Sequence, residues 1–215
     1  MSKYRNSEII DYVDEIAENI CSNQKNNTRE LFFPILIETL GLKTGVEIGV
    51  DKGGFSALIL EKTSIEKMYC VDPWIDDFGS DHRPGYFDKS GNVRMKQAYE
   101  TLKPFIDNGR AELVRATGVE ASKILPNDLD FVYIDGDHSL EGIFYDIYDW
   151  TPKVVTGGIV SGHDFKDRKN SGIKDYWGEQ LDYAVEYVVN YYGRRYGYKI
   201  CKTGERVPSW WFVKS

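Results

Sequence analysis

One stretch constrains this chain more than any other: Val46-Glu47-Ile48-Gly49-Val50-Asp51-Lys52-Gly53-Gly54-Phe55-Ser56. A short β-branched run comes first, then a turn with glycines at 49, 53 and 54. Ala57-Leu58-Ile59-Leu60-Glu61-Lys62 follows and reads as a helix. Strand, glycine turn and helix in that order open a doubly wound α/β sheet. Glycine permits positive φ and lets a ligand approach the backbone. Free N–H groups at the following helix start favour a polar or anionic group. The spacing is not the Gly-x-Gly-x-x-Gly of dinucleotide binding. Glu47, two residues before the first glycine, would also repel a pyrophosphate. The turn suits a ligand that carries positive charge and hydroxyls.

The rest of the chain repeats the strand and helix alternation. Residues 7–22 set Ile9, Ile10, Val13, Ile16, Ala17 and Ile20 at helical spacing, with Ser7 as the expected N-cap. Thr28 opens a second helix whose expected apolar face is Leu31, Phe32, Ile35, Leu36 and Leu40, closed by Gly41. These two helices, residues 1–43, form an extension that acts as a lid or as a packing or dimer surface. The main domain is residues 44–215. Its second strand, 67–72, ends in Asp72, 19 residues after Gly53, where an acid of a doubly wound sheet meets ribose hydroxyls. A long connection, 73–91, should overhang the ligand crevice and carries Trp74 and His82. A helix at 93–105 and a strand at 111–115 lead to the turn Ala116-Thr117-Gly118.

The second landmark is Leu129-Asp130-Phe131-Val132-Tyr133-Ile134-Asp135-Gly136-Asp137-His138, a near-continuous apolar run of the kind a central parallel strand shows. It ends in two carboxylates and a histidine. A helix through Trp150 follows, then the turn Thr156-Gly157-Gly158, then a strand ending in Gly162-His163-Asp164. Adjacent strand ends bring both acid and histidine pairs to one crevice. A polar loop, 165–180, precedes a helix with Leu181, Ala184, Val185, Val188 and Val189. Residues 198–202 and 210–213 pair as a closing antiparallel hairpin.

The bulk numbers narrow the partners. With 215 residues, a net charge of −7 and a pI near 5.1, the chain builds one core and lacks the basic surface of a duplex-binding protein. No apolar run is long enough to span a membrane, and no signal peptide is recognised. Cys21, Cys70 and Cys201 lack Cys-x-x-Cys spacing and read as buried or free thiols of a reducing, cytoplasmic setting. Aromatics reach 14%, which suits sugar rings, although core packing accounts for most of them.

The acid-x-Gly-x-x-x-Gly stretch at 47–53 resembles motif I of the class I S-adenosylmethionine-dependent methyltransferases. Asp135-Gly136-Asp137-His138-Ser139-Leu140-Glu141-Gly142, with Asp146, Trp150, Gly157-Gly158, Gly162-His163-Asp164 and the Pro208-Ser209-Trp210-Trp211-Phe212 ending, is similar to one subgroup. That subgroup holds the macrocin-type sugar O-methyltransferases and cephalosporin-hydroxylase-like proteins. The resemblance covers roughly 44–215. It implies a Rossmann-like, doubly wound sheet of seven strands, mostly parallel with the last strand antiparallel. It implies S-adenosylmethionine as donor and a hydroxyl acceptor, most often on a sugar. By the same resemblance Glu47, Gly49, Asp51, Gly53 and Ser56 form the donor loop and Asp72 holds the ribose. Trp74 flanks the adenine or the acceptor, the adenine lies at Thr117, and Asp135 borders the donor pocket. Relatives that bind a divalent cation place its ligands at Asp135, His163 and Asp164. The histidine moves the expected ion from Mg²⁺ toward Mn²⁺, Fe²⁺ or Zn²⁺. Asp137 matches a proposed general base, with His138 and His163 as further proton acceptors.

The expected function is methyl transfer to a hydroxyl of a small molecule or glycan, with a divalent metal, Mg²⁺ or Mn²⁺, and a homodimer left open. Nucleic acid and membrane are not expected partners. Two other readings stand beside it: a metallohydrolase using the Asp/His cluster, which leaves the glycine turn and Asp72 without a role, and a non-catalytic nucleoside- or glycan-binding module, which has no use for Asp135, Asp137 and His163.

Overall fold

The computed structural model describes residues 6–23, 27–75, 90–166 and 184–215. Two helices, α1 (Asn6–Ser22) and α2 (Arg29–Leu40), precede a regular alternation. It runs β1 (Thr44–Ile48), α3 (Gly54–Lys62), β2 (Lys67–Asp72), α4 (Gly91–Asp107), β3 (Ala111–Arg115), α5 (Gly118–Ile124), β4 (Leu129–Ile134) and α6 (Leu140–Trp150). Then come β5 (Val154–Gly162), α7 (Val185–Tyr196), β6 (Cys201–Lys202) and β7 (Trp210–Val213). The sheet order is β3-β2-β1-β4-β5-β7-β6. Neighbours from β3 to β5 are parallel, and β7 runs antiparallel to both β5 and β6. The order reverses between β1 and β4, which makes their carboxyl ends the crevice of the fold.

Side chains alternate across the sheet. Phe131 and Tyr133 of β4 and Trp211 of β7 join Phe32, Phe33, Leu36 and Ile37 of α2 on one face. Val132, Ile134, Trp210 and Phe212 meet Ile147, Trp150 and Val189 of α6 and α7 on the other. Helices α1 and α2 therefore pack into the main core. Gly41 closes α2 at φ +63°, with the Leu42 N–H on the Ile37 carbonyl at 3.0 Å.

Three local expectations change. The first helix begins at Asn6, so Ser7 lies inside its first turn instead of capping it. The buried face of α2 is Phe32, Phe33, Pro34, Leu36 and Ile37, while Leu31 is exposed. The adjacent phenylalanines fill the space over β4 and set the helix's rotation. The glycines at 157 and 158 lie within β5 rather than before it. They form a bulge where the β4 register jumps from Leu129↔Val154 to Phe131↔Ile159. Gly157, at φ +83°, has Ile9 of α1 packed where a Cβ would project. Residues 76–89, with His82, and residues 167–183, with Leu181, lie outside the described residues.

Candidate active site

The crevice is built from the turns that follow the central strands. After β1 the chain turns at Gly49, φ +90°, and a Cβ there would lie 2.1 Å from the Asp135 carbonyl oxygen. Only glycine lets the β1 and β4 exits touch. Asp51 (φ +49°) and Gly53 (φ +82°) carry the turn on into α3. The result is a tight backbone cradle at the strand ends, of a form that fits a nucleoside with a charged tail.

Asp72 anchors the far side of the cradle. It is 5% exposed and accepts the Asp51 N–H at 2.9 Å and the Trp74 N–H at 2.7 Å. Burial pushes its pKa up, and these two donors oppose that. A carboxylate has about four acceptor positions, so capacity remains for a vicinal diol. Asp51 is half exposed and pairs with Arg94 at 3.4 Å.

Several expected donor contacts are turned inward. Glu47 and Ser56 are buried and bonded to each other, Ser56 Oγ donating to Glu47 Oε2, which ties β1 to α3. Burial raises the Glu47 pKa to about 8, the Ser56 bond pulling against it. Trp74 is fully buried with its indole N–H on the Asp51 carbonyl at 2.7 Å, so its ring braces the turn and offers no open face to a ligand. Thr117 is exposed and spends its hydroxyl in a capping box with Glu120 at the start of α5.

The acid and histidine pairs do converge. Asp135 Oδ1 and Asp164 Oδ2 lie 3.3 and 3.2 Å from His138 Nε2. His163 Nδ1 is 3.2 Å from Asp164 and 3.8 Å from Asp135. Asp164 is nearly buried, which by itself raises its pKa, but hydrogen bonds from His138 and His163 win and hold it well below the usual range. Among the described residues, Asp135, His138 and Asp164 form a set that could hold a metal, with ligand atoms within 4.8 Å of one another. It differs from the expected Asp135, His163 and Asp164 because His138 reaches between the two carboxylates and His163 sits to the side. Two carboxylates and one imidazole fit a borderline divalent ion such as Mn²⁺ better than Mg²⁺.

Asp137 does not join this cluster. Its oxygens accept the Ser139 N–H and Oγ–H, each at 2.9 Å, which fixes the N-cap of α6. The residue that sequence reasoning missed is Arg29. Its Nη1 lies 3.3 Å from Asp135 Oδ2 and 3.4 Å from the Tyr133 hydroxyl, with the guanidinium over the Phe55 ring at 5.5 Å. Its backbone N–H donates to Glu205 at 3.1 Å, which joins the start of α2 to the β6–β7 loop. No local motif marks Arg29; only the packing of α2 over the β4 exit brings it 106 positions along the chain to Asp135.

Comparison with known proteins agrees with this geometry. A family model described as a methyltransferase domain matches residues 46–165, from the glycine turn to the end of the Asp/His cluster. A protein of Acanthamoeba polyphaga mimivirus, R132, is 25% identical over 186 residues, covering 80% of this chain and 73% of its own. A candidate caffeoyl-CoA O-methyltransferase from Staphylococcus aureus superposes with a TM-score of 0.65 at 11% identity, over 98% of this chain and 99% of that one. Rv0187 from MTB, solved with cofactor bound, gives 0.61 at 14% identity, over 95% and 90%. At these identities the solved structures speak for the fold, and the family model for the chemistry. The glycine cradle, Asp72 and the strand-end cluster all fall inside or beside the matched segment, and the chain belongs to the methyltransferase domain family, whose methyl donor is S-adenosylmethionine.

Proposed function

We propose that this chain transfers the methyl group of S-adenosylmethionine to a hydroxyl of a small-molecule acceptor, with a sugar or glycan as the class that the sequence resemblance favours. The observation that carries the reading is the direct contact between donor cradle and acid–base cluster. Gly49 packs on the Asp135 carbonyl, and the Asp135 side chain lies beside His138.

The sulfonium brings its own leaving group. The protein has to hold donor and acceptor in line and take one proton from the acceptor. His138 is the group best placed to take it. A proton gained there creates a cation between two carboxylates, Asp135 and Asp164, at 3.3 and 3.2 Å. Asp137, with both oxygens engaged by Ser139, serves the loop instead. Arg29 places a fixed positive charge 3.3 Å from Asp135. A divalent ion held by Asp135, His138 and Asp164 would occupy the His138 lone pair, so its Lewis acidity toward the acceptor hydroxyl would replace the histidine base rather than add to it.

The test is calorimetric titration with S-adenosylhomocysteine, with and without EDTA, followed by turnover on a panel of sugars and nucleotide sugars. Micromolar binding and methyl transfer to a hydroxyl of a sugar bear the proposal out. No binding under either condition overturns it. Donor binding with transfer to nitrogen alone overturns the acceptor half.

A further inference from the structure

The outer face of α6 and α7 has no part in the crevice. Half of the large apolar side chains exposed among the described residues lie on it: Leu140, Phe144 and Tyr145 of α6, and Tyr187, Tyr191 and Tyr196 of α7, each 37–55% exposed. Ring contacts link the two helices. Phe144 stacks on Tyr148 with centroids 4.3 Å apart, and Tyr148 meets Tyr196 edge-on at 5.9 Å. The Arg195 guanidinium covers the Tyr196 ring at 5.8 Å. Packing within the chain buries Tyr192 against Phe212, but it leaves the outer rings in water. An exposed apolar patch of this kind marks an interaction surface, and tyrosine, phenylalanine and arginine are the residues enriched in such surfaces.

The charges on this face identify its partner. α6 and α7 run in the same direction. Their starts meet where the Ala184 N–H donates to the His138 carbonyl at 3.2 Å, and their ends meet at Tyr148 and Tyr196. Each first turn carries an acid, Glu141 or Glu186, and the last turn of α7 carries Arg194 and Arg195. Such placement suits each helix dipole. Because the helices are parallel, it also gives the face one acidic end and one basic end, with aromatic rings between them. Asp149, near the end of α6, lies within electrostatic reach of the chain's own Lys153. A surface with this pattern complements itself when reversed. A two-fold axis that lies in the interface and crosses the helices sets Arg194 and Arg195 against Glu141 and Glu186 of the partner subunit at both ends, and ring against ring in the centre. An axis along the helices would set like charges together.

We propose that the chain forms a two-fold homodimer through this face, with α6 and α7 of the two copies antiparallel. The inference does not rest on the methyl-transfer reading. It places the dimer surface on α6 and α7 rather than on the N-terminal helices, which pack into the core. The acidic end of the interface adjoins the crevice, since α6 starts two residues after His138.

The experiment is sedimentation velocity of the full chain over a range of micromolar concentrations. The parent should sediment as a dimer of twice 24.7 kDa. Tyr145→Glu and Tyr191→Glu, at the centre of the face, should each raise the dissociation constant by about thirtyfold. Arg194→Glu with Arg195→Glu should give a monomer, and so should Glu141→Arg with Glu186→Arg, because like charges then meet. An equimolar mixture of these two double variants should restore the dimer. Circular dichroism and melting temperature establish that the variants are folded. A parent that stays at 24.7 kDa throughout overturns the inference, a result that needs no variant. A parent dimer that folded Tyr145→Glu and Tyr191→Glu leave intact overturns it as well, since the interface then lies on another surface. A mixture of folded double variants that remains monomeric overturns the antiparallel arrangement.

Discussion

At the scale of single residues, His138 and Asp137 are neighbours with opposite roles. His138 faces Asp135 and Asp164, whereas Asp137 faces back onto Ser139. His138→Ala should leave donor affinity unchanged and lower turnover by about 10²–10⁴-fold, the range of a lost general base. Asp137→Ala should cost about 1 kcal/mol of stability through the loosened cap of α6 and retain most turnover. The reverse pattern, with kcat collapsing only in the Asp137 variant, would return the base to Asp137. Glu47 gives a second prediction. Its folded pKa is about 8 against an ordinary glutamate value of 4.5, so the folded chain keeps a proton that the unfolded chain has lost. Its stabilising contribution is complete below the unfolded value and is lost as pH rises toward 8. The slope is at most about 1.4 kcal/mol per pH unit across that window. Asp146, raised to about 7, acts in the same direction over a lower range. Urea unfolding of the parent should show declining stability from pH 5 to 8, and Glu47→Gln should flatten the decline. An identical slope in both chains would mean that Glu47 folds as a carboxylate.

At the scale of elements, the sharpest test is the β5 bulge. Gly157 sits at φ +83°, with Ile9 Cγ2 2.8 Å from the place a Cβ would take. Gly157→Ala should therefore lower stability by about 1–2 kcal/mol, from backbone strain with steric displacement of α1 added. Unfolding midpoints measure this, and a neutral substitution would show that the bulge relaxes freely. The bulge also marks where reading the sequence stops. Glycine pairs signal a break, and Thr156-Gly157-Gly158 reads naturally as a turn before a strand. Only the partner strand reveals that pairing resumes on both sides of it. The strand ends were legible for the opposite reason. Gly49, Asp72, Asp135 and Asp164 lie where an apolar run stops, and the doubly wound topology carries every such stop to one crevice. Side-chain direction was not legible. The reach of His138 between two acids, the inward turn of Glu47 and Trp74, and the partnership of Arg29 with Asp135 all depend on rotations that linear spacing leaves open.

At the scale of the whole molecule, the question is whether residues 44–215 stand alone. The family match begins at residue 46, which invites that division. The packing argues against it. Phe32, Phe33, Leu36 and Ile37 are at most 1% exposed and cover Phe131, Tyr133 and Trp211 of the central sheet. Burying each such side chain contributes about 1.5–3 kcal/mol, and a domain of this kind is stable by only about 5–15 kcal/mol in total. Losing four of them, and exposing the sheet face they cover, removes an amount comparable to the entire margin. The same cut removes the counter-ion of Asp135, because Arg29 enters the crevice from α2. A chain beginning at residue 44 should therefore lack a cooperative unfolding transition and bind S-adenosylhomocysteine far more weakly than the parent. Arg29→Met in the full chain separates the two effects: it keeps the apolar cover, should cost only about 1 kcal/mol given that the pair is partly exposed, and should lower turnover with donor affinity retained. If the truncated chain unfolds cooperatively and binds donor like the parent, α1 and α2 are an appendage. If it fails while Arg29→Met keeps its fold, the helices are structural through their phenylalanines and functional through one arginine.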